Sequence, residues 1–464
     1  MRPAKAKARR TRAVFLGAAL IALVSAVIAW PFVVDDAFIT FRYARHLVAG
    51  QGYAMNPAAV TDGVTGPLWL VPLVLAGALG FSIPTVAGVT GLLFAAGAGA
   101  LLLWSMRGRS GGKAREVSAV FLALNGTYWV WASAGLETGA ATFFVTVLVA
   151  SVVRPLPRWA PAFALMVLPS LRPELVPVAC LLGLQARRLP RLWSLASISL
   201  GVAAIAAWRI WMFGTPIPLS AMAKGGTLVN GASYVLSGAV LMTMGGGAYL
   251  AWRARKRRAA RWVGLALLLH LVVVIVAGGD WMPGHRLLVP LLPALALLVG
   301  WGCTAYRRAA FVLVPTLVAA AALSAFTLTE ARDAGLRRQV RGRPIAAAIE
   351  EGPVALLDAG FLAWETGYEV VDLGGITDPS VARMPGNHVD RSVDVAYLEA
   401  RQPATFVLHS LSEPIITDGE LSRFAGYPTE SRLVRSAWFL RSYAPVEVHA
   451  YGEAYWYVRF ERRD

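Results

Sequence analysis

The sequence predicts a polytopic α-helical membrane protein with a small α/β domain at its C-terminus. Of its 464 residues, 57% are hydrophobic and only 15% are charged, whereas soluble domains are usually about 25% charged. Apolar runs long enough to cross a bilayer, about 17–25 residues, recur through the first two thirds of the chain. The remainder has the composition of a soluble domain. We therefore expect a transmembrane domain at 1–329 and an α/β domain at 330–464.

The distribution of positive charge supports this topology and argues against nucleic-acid binding. The formal net charge is +17, but 23 of the 44 Lys and Arg residues fall in six segments that contain no Asp or Glu. These segments are 2–12, 107–115, 154–158, 187–191, 253–261 and 307–308. Basic loops stay in the cytoplasm. We therefore expect a cytoplasmic N-terminus, and extracytoplasmic positions for the polar tips and the C-terminal domain.

Eleven predicted transmembrane helices account for these loops. In chain order they cover 13–31, 83–105, 117–132, 138–153, 159–170, 175–186, 192–211, 233–251, 262–277, 287–302 and 309–328. The apolar stretch 67–80 is short and contains two prolines, so we expect an interfacial helix there. Within the outer loop 32–82, residues 36–49 have the apolar spacing of an amphipathic helix.

The C-terminal domain combines β-type runs with helical patterns, as α/β domains do. The runs lie at 354–357, 370–373, 405–408, 446–449 and 455–460, and two of the helical patterns lie at 333–351 and 392–401. The domain has no Gly-rich phosphate loop and no Cys/His metal cluster. The two cysteines of the chain lie in apolar runs, so no disulfide framework is expected.

Two adjacent carboxylates, Asp35 and Asp36, directly follow the first apolar run. Carboxylates suit general-base catalysis on a hydroxyl group. The pair could instead cap the helix that starts at residue 37, but one Asp would suffice for that. We expect a catalytic pair, and the sequence does not choose which Asp is the base. We expect no obligatory cofactor or structural metal, although a divalent cation could bind weakly at this pair.

The other outer tips carry cations and further acids. Cations suit an anionic group such as a phosphate. The candidates for binding the phosphate and sugar of a donor are Arg42, Arg172, Lys224, Asp280, His285 and Arg286. Supporting roles are expected for Glu137, Glu174 and Trp281.

Several of these side chains also have a simpler interpretation. Arg42 could extend to lipid head groups, and Arg172 could pair with Glu174 across the intervening proline. Glu137 could do no more than favour a helix N-terminus. The loop 278–286 could be an interfacial anchor, and Lys224 could be a plain loop charge.

Seven motifs together carry a family resemblance. In order, they are Asp35-Asp36-Ala-Phe-Ile-Thr-Phe-Arg-Tyr-Ala-Arg45, Gly63-Val-Thr-Gly-Pro-Leu-Trp69, Gly135-Leu-Glu-Thr138, Arg172-Pro-Glu174, Pro216-Ile-Pro218 with Lys224, Gly278-Gly-Asp-Trp-Met-Pro-Gly-His-Arg286 and Asp372-Leu-Gly-Gly-Ile-Thr-Asp-Pro379. The chain thereby resembles the polyprenyl-phosphate-sugar-dependent glycosyltransferases of the C-type membrane fold (GT-C). It is most similar to the terminal β-(1→2)-arabinofuranosyltransferase family of actinobacterial cell-wall synthesis. It departs from that family in its shorter C-terminal domain and in the Gly of Thr65-Gly-Pro-Leu-Trp69, where Ser is usual.

The resemblance implies a glycosyltransferase with a catalytic acidic pair. It would move a sugar, arabinofuranose by the likeness, from a polyprenyl-phosphate donor to a cell-envelope glycan on the outer face of a bacterial cytoplasmic membrane. Asp35 or Asp36 would take the acceptor proton or stabilise the oxocarbenium-like charge. The C-terminal domain would help to position the acceptor.

Two other functions stay open from the sequence. A transporter or flippase of lipid-linked sugars would be expected to carry charges within its spans and often shows inverted repeats. Here only Arg209 lies within a span, and we find no repeat. The third function is that of a non-catalytic membrane scaffold.

Overall fold

The computed structural model describes residues 2–57, 59–108, 112–223, 225–243, 246–306, 308–417 and 419–463. The chain divides into two compact units. The first comprises Met1–Val33, Ala87–Ile205 and Gly226–Arg332, and the second comprises Val34–Val86, Ala206–Gly225 and Asp333–Asp464. The second unit therefore joins the loop after the first helix to the C-terminal domain.

The described chain is mostly helical. Its helices up to residue 337 are α1 (Arg2–Ala29), α2 (Asp35–Val48), α3 (Leu70–Ala78), α4 (Ile83–Ser105), α5 (Gly112–Ala123), α6 (Gly126–Ser133), α7 (Thr138–Val153), α8 (Trp159–Leu171), α9 (Val176–Leu184), α10 (Arg191–Phe213), α11 (Leu219–Ala223), α12 (Leu228–Thr243), α13 (Gly246–Arg253), α14 (Arg258–Val276), α15 (Leu292–Ala305) and α16 (Ala309–Arg337). A π-helical turn, Arg338–Gly342, follows α16.

Six helical segments in the described residues are long and apolar enough to cross a membrane. They are Ala8–Ala29, Ile83–Ser105, Arg191–Phe213, Arg258–Val276, Arg286–Ala305 and Ala309–Ala347, and a bent pair formed by Leu228–Met242 and Gly246–Lys256 would make a seventh. Four shorter apolar helices are Pro67–Ala78, Thr138–Val153, Trp159–Leu171 and Pro173–Leu184. The predicted count of eleven is therefore not confirmed.

Three predicted helices differ from those observed for reasons visible in the sequence. The predicted span 117–132 is divided between α5 and α6, because Asn125-Gly126 favours a turn. The predicted helices 309–328 and 333–351 are instead joined by α16, which runs without interruption to Arg337. The residues between them, 329–332, include no Gly or Pro that would end a helix.

The second unit contains the strands. Its sheets are formed by β1 (Ala54–Asn56), β2 (Ala59–Val60), β3 (Val354–Leu356), β4 (Val370–Asp372), β5 (Thr405–Ser410), β6 (Ile415–Thr417), β7 (Glu420–Arg423), β8 (Tyr443–Gly452) and β9 (Tyr455–Arg462). The later helices are α17 (Arg343–Ala347), α18 (Phe361–Thr366), α19 (Pro379–Ala382), α20 (Val395–Arg401), α21 (Pro428–Val434) and α22 (Ala437–Ser442).

The main sheet has five strands in the order β4-β3-β5-β9-β8. β3 pairs in parallel with β4 and β5, whereas β9 pairs antiparallel with β5 and β8. Helices α20, α21 and α22 contribute Leu398, Leu433 and Phe439 to its hydrophobic core. Because β3 and β5 run in the same direction, Asp358 and His409 lie at the same edge of the sheet, the edge where α/β proteins place their ligands.

Candidate functional site

The acidic pair begins α2, but neither Asp caps it. The N-cap is Val34, and no side chain accepts a capping hydrogen bond there. Asp35 and Asp36 occupy the first turn, where a carboxylate interacts favourably with the helix dipole. The capping alternative considered from the sequence is therefore wrong for the observed helix.

Asp35 is fixed against the loop that follows β3. The backbone N–H of Phe361 donates a hydrogen bond to Asp35 Oδ1 over 2.9 Å. At Gly360 a Cβ atom would collide with Oδ2 and with the backbone oxygen of Asp35, so only glycine permits this approach. The α2 and α18 helices hold the contact in place through the Phe38 and Phe361 rings, whose centroids lie 5.2 Å apart.

A chain of three ionisable side chains lies beside this loop. His409 is bound at Nδ1 to Glu430 Oε1 over 2.8 Å and at Nε2 to Asp358 Oδ2 over 3.1 Å. The side chains of Glu430 and His409 are 0% and 1% exposed, whereas that of Asp358 is 37% exposed. The chain therefore runs from the interior of the sheet to an accessible carboxylate.

Tyrosine rings surround the imidazole of His409. The ring centroids of Tyr427, Tyr455 and Tyr457 lie 5.6, 5.2 and 4.7 Å from that of His409. These rings keep water from the His409–Glu430 pair, and a low local dielectric strengthens its hydrogen bonds.

Arg338 adds a cation to this region. It lies on the π-helical turn, and its guanidinium carbon is 5.6 Å from the centroid of the Phe38 ring and 5.8 Å from that of Phe361. The positive charge of Arg338 acts on both Asp35 and Asp358. Single π-helical turns often occur at functional sites.

The two carboxylates have pKa values displaced in opposite directions. Burial raises the pKa of Asp35 to about 7, with a further contribution from the negative charge of Asp358 and opposing ones from Arg338 and the Phe361 N–H. Burial also acts to raise the pKa of Asp358, but the imidazolium of His409 outweighs it and the net shift is downward. Near neutral pH, Asp358 is thus ionised while Asp35 can exchange a proton.

His409 carries a positive charge over the physiological range. Burial alone would lower its pKa, but the carboxylates of Glu430 and Asp358 raise it to about 10. The chain Glu430–His409–Asp358 therefore has one positive charge held between two negative ones, and Asp358 takes its orientation from this pairing.

Arg42 is buried and donates hydrogen bonds to three backbone carbonyl groups. Its Nε donates to Met55 O over 2.8 Å and its Nη2 to Tyr368 O over 2.6 Å, and its Nη1 donates to Ala363 O. Its exposed fraction is 0%. These contacts tie α2 to β1 and to the end of α18, which is a structural role.

The other polar motifs of the second unit also build structure. Asp372 accepts hydrogen bonds from the backbone N–H groups of Gly374, Gly375 and Thr377, and so shapes the Gly-Gly turn after β4. Arg209 is 3.1 Å from Asp62, and both side chains are almost completely buried.

In the first unit, Arg172 lies between two carboxylates. Its Nε is 2.9 Å from Glu137 Oε1 and its Nη1 is 3.0 Å from Glu174 Oε1, while Nη2 donates to Thr138 Oγ1 over 3.1 Å. The Arg172 side chain is 6% exposed. The pairing of Arg172 with Glu174 that the sequence left open is therefore present.

The loop 278–286 is closely folded. Its positive φ angles at Gly278, Gly279 and Gly284 are joined by φ 55° at His285, an uncommon conformation for a side-chain-bearing residue. Arg286 pairs with Asp280. His285 Nε2 lies 2.8 Å from Ser237 Oγ, and burial lowers the His285 pKa.

The remaining predicted residues are placed as follows. Trp281 is 55% exposed, as an interfacial anchor would be. Lys224 lies outside the described residues. Within the described ranges, no group of three or more His, Cys, Asp or Glu side chains could hold a metal ion. A weak cation at Asp35 and Asp36 stays a prediction.

Sequence reasoning missed Arg338, Asp358, His409 and Glu430. A signal for two of them was present, because Asp358 and His409 each stand at the end of a β-type run. The parallel pairing of those runs brings the two residues to one edge of the sheet, and this pairing cannot be predicted from either run alone.

Comparisons with known proteins identify the fold. Residues 331–458 match the family model described as Domain of unknown function (DUF8728). No curated protein matches the chain. The crystal structure of ArnT from Cupriavidus metallidurans bound to undecaprenyl phosphate is 13% identical, with a TM-score of 0.58, covering 96% of this chain and 97% of that chain. ArnT from the same organism in the apo state is 14% identical, with a TM-score of 0.59, covering 98% of each chain. The chain thus has an ArnT-like GT-C fold.

Proposed function

We propose that the protein is a glycosyltransferase that takes a sugar from a polyprenyl-phosphate donor and transfers it to a hydroxyl group of a glycan. The observation that carries this proposal is the Asp35 carboxylate, held at the start of α2 with a pKa raised to about 7 by burial and by a second acid. A general base is most effective when its pKa lies near the working pH. The ArnT-like fold supports the class of donor, since ArnT has been crystallised with undecaprenyl phosphate.

In the proposed reaction, Asp35 accepts the proton of the acceptor hydroxyl while the bond between the sugar and the phosphate breaks. The proton passes to the carboxylate and the electron pair of the broken bond leaves with the polyprenyl phosphate. Asp36 remains beside it as a second negative charge that raises the Asp35 pKa. Arabinofuranose, a cell-envelope acceptor and an extracytoplasmic site in a bacterial cytoplasmic membrane are the finer parts of this proposal.

Donor binding is proposed for the predicted residues other than Arg42. These are Arg172, Lys224, Asp280, His285 and Arg286, with Glu137, Glu174 and Trp281 in support. Arg42 is omitted because all the contacts described above are with backbone carbonyl groups.

The domain boundary at 329/330 also stays a prediction.

Transfer of a labelled sugar from synthetic polyprenyl-phosphate donors tests the proposal. We expect Asp35→Asn to lower the rate about 10²–10⁴-fold, the usual contribution of general acid–base catalysis, and Asp36→Asn to have a smaller effect. Asp333→Asn, an exposed acid in the same unit, is the matched control. Full activity in Asp35→Asn would contradict the proposed role, and a wild-type protein that binds donor without transferring sugar would favour a transporter or scaffold.

A further inference from the structure

We infer that the region matching the domain of unknown function supplies a positioning residue of the transfer site: Asp358, held by the buried His409–Glu430 pair, keeps Asp35 in place and holds a second negative charge near it. The inference rests on the proposed function of Asp35. It assigns to this region a role beyond positioning an acceptor.

The first step is the loop that joins the two acids. Asp358 lies two residues before Gly360 and three before Phe361, the residues against which Asp35 is packed. A movement of Asp358 would therefore move the N–H that binds Asp35 Oδ1. Gly360 packs directly against Asp35, with no room for a side chain between them. A shift of the loop at Asp358 would therefore change the distance between Gly360 and Asp35.

The second step is what fixes Asp358. His409 reaches it from β5, and Glu430 reaches His409 from α21 through both the imidazole Nδ1 and the backbone N–H, each over 2.8 Å. Glu430 also accepts a hydrogen bond from the backbone N–H of Tyr427 over 3.0 Å. A fully buried carboxylate with three hydrogen bonds is a rigid anchor. Asp358, at the exposed end of the hydrogen-bonded series Glu430–His409–Asp358, is therefore held with little freedom.

The third step concerns the charged side chains near Asp35. Asp35 faces Asp358 on the loop after β3, Arg338 on the π-helical turn and Asp36 on its own helix. Tyr451 of β8 and Tyr457 of β9 also face it, and both are neutral near pH 7 because burial raises the pKa of each. Asp358 and Arg338 therefore act on Asp35 with opposite signs.

These opposite signs give a test that a purely structural role would not satisfy. Without Asp358 the ionised form of Asp35 loses a like-charged neighbour, so its pKa falls. Without Arg338 it loses an attractive charge, so its pKa rises. Because Asp35 must be ionised to act as a base, the acidic limb of the pH–rate profile follows these shifts.

The experiment measures sugar transfer from a polyprenyl-phosphate-sugar donor between pH 5 and 9. We expect Asp358→Asn to move the acidic limb to lower pH and Arg338→Gln to move it to higher pH, each by about one unit. The matched control is Glu447→Gln, which removes a carboxylate that is 3.2 Å from His449 Nε2 in β8 of the same sheet. This control should leave the limb in place.

A limb that stays in place in Asp358→Asn, or that moves in the same direction in both variants, would overturn the inference. Wild-type protein without any transfer would instead contradict the proposed function. The inference is then tested without turnover, by the pH dependence of the melting temperature. In each background, the difference in melting temperature between the proteins with and without the Asp35→Asn substitution should change with pH around the Asp35 pKa. The midpoint of this change should lie about one pH unit lower in the Asp358→Asn background than in the wild-type background. An unchanged midpoint would refute the inference.

Discussion

The two polar clusters of the molecule use their charges differently. In the first unit, the guanidinium of Arg172 lies between Glu137 and Glu174, so each charge has an opposite partner at about hydrogen-bond distance. In the second unit, Asp35 packs close to a second acid, Asp358, and its pKa is raised to about 7. Compensated charges make a structural cluster, whereas an acid kept beside another acid can exchange a proton near neutral pH. The difference separates a cluster that stabilises the fold and that we propose also binds the donor from the acid that we propose accepts the proton.

The largest loss of stability is expected at the compensated cluster. Arg172→Met leaves Glu137 and Glu174 with no cation between them, and breaking a buried ion pair in this way costs about 3–5 kcal/mol. Thermal unfolding in detergent measures this loss, with Arg188→Met as a control because Arg188 is exposed. Equal melting temperatures for the two variants would show that the cluster does not stabilise the fold.

A smaller loss is expected at Arg42. Lysine keeps the positive charge but cannot donate in three fixed directions to Met55, Ala363 and Tyr368. We expect Arg42→Lys to lower the free energy of unfolding by about 1–3 kcal/mol through unsatisfied carbonyl groups. The matched control is Arg45→Lys on the same helix, where the side chain stacks on Trp364 at 4.3 Å. If Arg42→Lys weakened donor binding without lowering stability, Arg42 would belong with the donor-binding residues.

An effect of the opposite sign, a gain in stability, is expected at Asp35. A carboxylate whose folded pKa is raised stabilises the fold only in its protonated form, so this contribution is lost as the pH rises from about 4 through about 7. Asp35→Asn removes the charge and should be more stable than wild type at pH 8 by about 4 kcal/mol, which corresponds to a pKa raised from 3.8 to about 7. At pH 4 the two proteins should melt alike. A difference independent of pH would mean that Asp35 is already ionised throughout this range.

The sequence predicted the position of the acidic pair because a local pattern marks it. Two adjacent acids after an apolar run are visible in one stretch of chain, and α2 begins at the first of them. The family resemblance likewise predicted the GT-C fold, which the likeness to ArnT confirms. Both conclusions depend on features that lie close together in sequence or recur in a fixed order.

The partners of Asp35 could not be found in this way. Asp358 is more than three hundred residues from Asp35, and the local role of Glu430, in the capping box of α21, gives no indication that it also binds His409. Their proximity arises from strand pairing and from the packing of α2 on α18, which no single segment encodes. The count of eleven spans stays unconfirmed for a related reason, since apolar composition alone does not distinguish a short apolar helix such as α9 from one that crosses the membrane.

The pH dependence of sugar transfer by the wild-type protein tests the central claim most directly. If Asp35 is the base and its pKa is about 7, the rate at low pH rises with pH and levels off above pH 8. The limb should fit a single ionisation near 7 and should disappear in Asp35→Asn. A rate that is constant from pH 5 to pH 9, or a limb near pH 4, would contradict the account because Asp35 would then behave as an ordinary carboxylate.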